Sequence, residues 1–203
     1  MLLNYIWCFT YGLILFYPFK SSLIQNSYSG FIYPFSLSAN TMQISPKNNL
    51  AFRTILNGEF NAKLPMDFSL MAPELMDIKY PIKSKRPKEV YSNFSGEVNI
   101  AFNLSSKKTE ESELKIIKNS IIEELQQIET VIVLNSEIKN INEMVFFQIE
   151  FLSPAIDGLI YNLIYGTIVK EQLLTGTFNC MDFQKPAWMS IGKEMIYSIK
   201  IND

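Results

Sequence analysis

The chain contains no histidine and only two cysteines, Cys8 and Cys180, among its 203 residues. The first absence removes the side chain most often used for proton transfer near neutral pH, and with it the Ser/His and Cys/His nucleophile pairs. Together the two absences leave carboxylates as the available metal ligands, and no Asp-x-Asp-x-Asp calcium loop occurs. Gly-x-Ser-x-Gly, P-loop and Gly-x-Gly-x-x-Gly runs are missing as well. The adjacent acids Glu110-Glu111 and Glu123-Glu124 point in different directions on a helix, so neither pair can serve as acid and base in one site. No catalytic residue, cofactor or metal site is therefore expected, and the chain is read as non-enzymatic.

Charge of one sign is also scarce. Eighteen basic and twenty acidic residues leave a formal charge of -2, which argues against a dedicated nucleic-acid binder. If the amino terminus is removed, Cys180 has no disulfide partner in the chain. It falls on the same strand face as Leu174 and Phe178 and is read as a small apolar core residue rather than a reactive thiol. Asp157-Gly158 is read as a turn. The enzymatic alternative, a hydrolase, would need Asp157 to meet Glu74 or Asp77 from a distant loop.

Residues 1–19 carry no charge and are strongly apolar; as a helix they would reach about 28 Å, just short of a bilayer core. Residues 1–41 are accordingly read as a signal peptide or anchor with its linker, and 42–203 as one domain. Export to the periplasm or membrane is the expectation. Lys20 follows the apolar run rather than preceding it, so the alternative is translation from Met42 and a cytoplasmic protein.

What remains is rich in sheet-forming residues, with aromatics at 13%. Residues 50–56 and 59–64 flank Asn57-Gly58 and predict a hairpin with a type I′ turn. The stretch 65–73, with Met66, Phe68, Leu70 and Met71, predicts a helical turn over a sheet end. Lys79, Lys83, Lys85, Arg86 and Lys88 crowd ten residues with two prolines. They predict a surface loop, either a solvated connection or an electropositive contact for a partner.

A second hairpin spans 90–104, where Val98, Ile100, Phe102 and Leu104 share the face expected to enter the core. Thr109 is placed to cap a helix over 110–128, whose stripe Leu114, Ile117, Ile121, Leu125 and Ile128 is buried. Strands follow at 130–134, 144–152, 159–169 and 172–180, with a polar turn at 139–142. Gly166 and Gly176 mark a bulge or a close contact, and a last helix opens at Pro186 with the stripe Trp188, Ile191, Met195, Ile196 and Ile199.

The order of these elements, with Val98-Asn99-Ile100-Ala101-Phe102, the 110–128 helix, the 161–169 and 173–180 strands and the closing helix ending Ser198-Ile199-Lys200, resembles the PsbP-like superfamily over about residues 50–201. DcrB-type envelope proteins and Eag-type secretion chaperones are similar members. The resemblance implies an α+β fold, an α/β/α sandwich around a twisted antiparallel sheet, that binds a partner and catalyses nothing. Two functions follow as expectations. The first is an accessory or binding protein of the bacterial envelope with a protein partner. The second is a cytoplasmic chaperone that shields membrane helices of a secreted effector on an exposed apolar sheet face.

Overall fold

A computed structural model describes residues 49–155 and 158–202. The apolar leader, Cys8, Met42 and Asp157 lie outside the described residues.

The chain opens with the hairpin β1 (Leu50–Ile55) and β2 (Phe60–Pro65), in antiparallel register from Leu50↔Pro65 to Ile55↔Phe60. Asn57 and Gly58 both take positive φ, 55° and 96°, and the Glu59 N–H donates to the Leu56 carbonyl at 3.2 Å. Those are the marks of the expected type I′ turn. Leu56 is also left-handed, at φ 52°, an uncommon state for a branched apolar residue. The Glu89 carboxylate sustains it, accepting from the N–H groups of Leu56 (2.8 Å) and Asn57 (3.2 Å).

The stretch after β2 departs from expectation. A single turn does form at 66–67, where the Phe68 N–H donates to the Pro65 carbonyl at 3.0 Å, but it goes no further: Ser69–Leu70 forms a short strand, β3, and the helix α1 (Pro73–Lys79) begins only at the proline. The reason is Arg53, whose guanidinium binds the carbonyls of Phe68 (2.5 Å) and Met66 (2.6 Å), atoms a helix would need for its own ladder.

β4 (Glu89–Ser92), β5 (Asn99–Lys108), α2 (Leu114–Gln126), β6 (Ile132–Ile141), β7 (Met144–Ala155), β8 (Gly158–Val169), β9 (Gln172–Met181), α3 (Lys185–Tyr197) and β10 (Lys200–Ile201) complete the order. Seven strands make one sheet in the order β3-β4-β5-β9-β8-β7-β6, and β1-β2-β10 make a second. Every recorded pairing is antiparallel.

Successive residues of a strand point to opposite faces, and in the middle of the large sheet both faces are covered. Leu114, Ile117, Ile121 and Leu125 of α2 pack on Phe147, Ile149, Phe151 and Ile164. On the other face Ile191, Met195 and Ile196 of α3 join Phe60, Ala62 and Leu64 of β2 over Phe102, Leu163, Tyr165 and Phe178. The result is the expected α+β sandwich, with the small sheet sharing the α3 layer.

Coverage of both faces corrects the one-sided reading of β5, since Asn99 and Ala101 are as buried as Ile100 and Phe102. Asn99 is accommodated because its amide donates across the sheet to Asn179 at 2.9 Å. Gly176 provides close contact rather than a bulge: a Cβ there would stand 2.0 Å from the Ala101 carbonyl oxygen. β6 does not stop at 134 but runs to Ile141, and the turn falls on Asn142 and Glu143, at φ 51° and 66°. The polar residues read as a turn are instead the half-covered edge of the sheet. Thr109 does not cap α2; its N–H reaches the Glu171 carbonyl at 2.8 Å.

Candidate binding cleft

The last helix positions a wide concavity on the surface. Pro186 lies in the first turn of α3, where its missing N–H costs nothing. Gly192 lets the helix sit deep on the sheet, for a Cβ there would meet the Phe178 ring at 2.6 Å. The chain then folds straight into β10, which pairs with β2 through Lys200↔Asn61 and Ile201↔Phe60. Asn202 anchors this end, donating from its N–H to the Glu59 carbonyl (3.0 Å) and from its amide to Gly58 (2.8 Å).

A cleft of about 780 Å³ results, bounded by the carboxyl-terminal half of α3, by β1, β2 and β10, and by Asn142 and Met144 at the β6–β7 turn. That volume is in the usual range for small-molecule sites. Phe52 of β1 stands in its wall half exposed, bracketed by Lys200 Nζ at 4.1 Å and Lys63 Nζ at 5.8 Å from the ring centroid. Lys63 also pairs with Glu194 of α3 at 3.3 Å.

Beneath the cleft runs a chain of polar contacts between α3 and the sheet. Lys193 Nζ lies 2.7 Å from Glu150 Oε1, and the Tyr161 hydroxyl donates to Glu150 Oε2 at 2.6 Å. Burial works against ionisation of Glu150, but the hydrogen bonds from Lys193 and Tyr161 outweigh it and hold its pKa below the ordinary value. Burial, reinforced by Glu150, pushes Tyr161 far above the usual phenol range. One position along, the Tyr197 hydroxyl donates to Gln148, whose amide donates to Glu137. A hydrogen bond from Lys139, at 2.9 Å, holds Glu137 below its usual pKa. At neutral pH the acids are ionised and the tyrosines protonated, an arrangement that fixes charges in place.

The basic stretch is dispersed rather than displayed on one loop. Lys79 closes α1 and is buried, its ammonium donating to the Gly96 carbonyl; burial lowers its pKa to about 8 despite the nearby Glu97. Arg86 turns inward, donating to the Tyr80 carbonyl and to Asp77, each at 2.6 Å. Lys83 and Lys88 are exposed and Lys85 half-buried. The surface-loop reading therefore fails for Lys79, because α1 carries it under the 93–98 connection.

Asp77 is the partner of Arg86, and Glu74 lies exposed in the first turn of α1. Cys180 is fully buried, and burial pushes its thiol up to about 12. Sequence reading missed Phe52, Lys63, Lys193, Tyr197 and Lys200. Two signals were present: Phe52 and Lys63 face each other across the Asn57-Gly58 hairpin, and Lys193 and Tyr197 are one helical turn apart.

No protein-family model matches the chain, and no curated protein sequence matches it significantly. Among solved structures it is similar to cyanobacterial PsbP (CyanoP) from Synechocystis sp. PCC 6803, at a TM-score of 0.53 and 13% identity, covering 82% of this chain and 99% of that one. It is also similar to LpqN of Mycobacterium tuberculosis, a protein involved in cell envelope biogenesis, at a TM-score of 0.52 and 11% identity, covering 78% and 95%. The likeness is one of fold, and the fold is PsbP-like.

Proposed function

We propose that this protein is a non-enzymatic accessory protein of the bacterial cell envelope that holds a partner molecule in the cleft beside α3. The observation that carries the reading is the pairing of the ionisable groups there. Lys63 is matched with Glu194 and Lys193 with Glu150, while Tyr161 is raised far beyond neutrality. Groups so arranged recognise a shape and a charge; proton transfer near pH 7 needs a group poised to titrate there. The apolar, uncharged run 1–19 supports placement at the envelope, as does the fold likeness to LpqN. Of the branches resembled in sequence, the DcrB type fits this reading. An Eag-type chaperone needs an open apolar sheet face, and α2 and the α3 layer cover both faces of the central strands β7, β8 and β9.

Complementation of a deletion strain, with fractionation of the same cells, tests the proposal. Ser190→Trp, which fills the cleft from its exposed rim, is expected to reproduce the deletion phenotype while the protein accumulates normally in the envelope fraction. Glu74→Gln and Asp77→Asn, which remove the acids a hydrolase would recruit, are expected to complement fully. Full activity of Ser190→Trp, or its loss in either acid variant, would overturn the reading.

A further inference from the structure

Resting on that cleft as the binding site, we infer that its occupant is a single-chain anionic amphiphile, an acyl chain ending in a carboxylate. The charge count points to one negative charge. Three lysines line the cleft, Lys63, Lys193 and Lys200. Lys63 is matched by Glu194 and Lys193 by Glu150, whereas Lys200 is exposed and stands over the face of the Phe52 ring. One carboxylate completes the set, and a second charge would have to break an existing pair.

The remaining wall is apolar. Phe52 and Ile201 are 49% and 38% exposed on the small sheet, and the half-buried Met144 and Tyr197 line the cleft from the β6–β7 turn and α3. A large aromatic side chain left half in water beside a cation suits a ligand with a charged head and a hydrocarbon body. The carboxylate lies at Lys200 and the chain runs over Phe52 toward Met144.

The test uses the full-length protein in phosphatidylcholine discs and dodecanoate carrying a terminal diazirine. After photolysis, mass spectrometry is expected to find adducts concentrated at the cleft residues, on Met144 and Ile201 above all. Unlabelled dodecanoate should suppress them, while acetate and dodecyltrimethylammonium should not. In competition from octanoate to dodecanoate, each methylene should tighten binding about fourfold until the cleft is filled. Lys200→Gln should weaken labelling about tenfold at sub-saturating probe. Lys83→Gln should leave it unchanged. Phe52→Leu, which keeps an apolar strand residue, serves as the second variant and should shorten the preferred chain length. Labelling spread over the surface, equal competition by the cationic detergent, or indifference to Lys200→Gln would overturn the inference. If labelling fails while Ser190→Trp still abolishes function in cells, the ligand class is wrong and the cleft stands. If labelling succeeds while Ser190→Trp functions fully, the proposed role of the cleft is wrong.

Discussion

Gly176 shows how tightly single residues are constrained here. The backbone of β5 and the Tyr165 ring occupy the space a side chain would need, and Tyr165 donates to the Ala101 carbonyl at 3.1 Å across it. Gly176→Ala is expected to cost about 3 kcal/mol, because a backbone oxygen cannot step aside as a flexible side chain can. Urea unfolding checks it. Lys79 gives a second expectation. Its folded pKa of about 8 is below the 10.5 of the free side chain, so the unfolded chain binds more protons between those values, and stability should rise with pH there. The rise should be opposed from about pH 9, where the unfolded Cys180 thiol and then the unfolded tyrosines ionise while the buried Cys180, Tyr80 and Tyr165 resist. In Lys79→Met the rise should be absent and stability should instead fall between pH 8 and 10, because the buried Cys180 thiol, pushed up to about 12, keeps its proton while the unfolded thiol loses it, read from urea midpoints across that range.

At the scale of elements, the first hairpin depends on a residue outside it. Glu89 satisfies two adjacent N–H groups of a left-handed turn whose Leu56 side chain is buried in the core. Glu89→Ala should cost about 2 kcal/mol and loosen the turn, measured as faster amide exchange at Leu56 and Asn57. Glu89→Gln, which retains one acceptor, should lie between. This contact also marks what the sequence could not disclose. The Asn57-Gly58 turn, the β8 and β9 strands and the stripes of α2 and α3 were legible because each is written in neighbouring residues, as turn chemistry or as a period of 2 or 3.6. Leu56 takes its conformation from a carboxylate 33 positions away. The turn at 66–67 does not continue as a helix because Arg53 claims the Met66 and Phe68 carbonyls, and β6 continues past Leu134 because β7 pairs with it to Met144. The two-residue β10 has no pattern of its own; it exists because α3 delivers it to β2.

At the scale of the whole molecule, the cleft is assembled from four separated segments: β1, β2, the β6–β7 turn and the end of α3 with β10. Its lysines look, in sequence, like any solvated charge, whereas the conspicuous basic run at 79–88 is partly consumed in fastening α1 to the connections beside it. Clustering along the chain was thus a poor guide to clustering in space. The fold sets this concavity where two sheets share a helix, and the proposed partner sits there.

Hydrogen–deuterium exchange of the full-length protein, gently extracted with its bound partner and compared with the stripped protein, tests that placement most directly. Exchange is expected to slow on binding in residues 60–65 and 190–201. Slowing confined to the 83–88 segment, or identical exchange in the two samples, would contradict it.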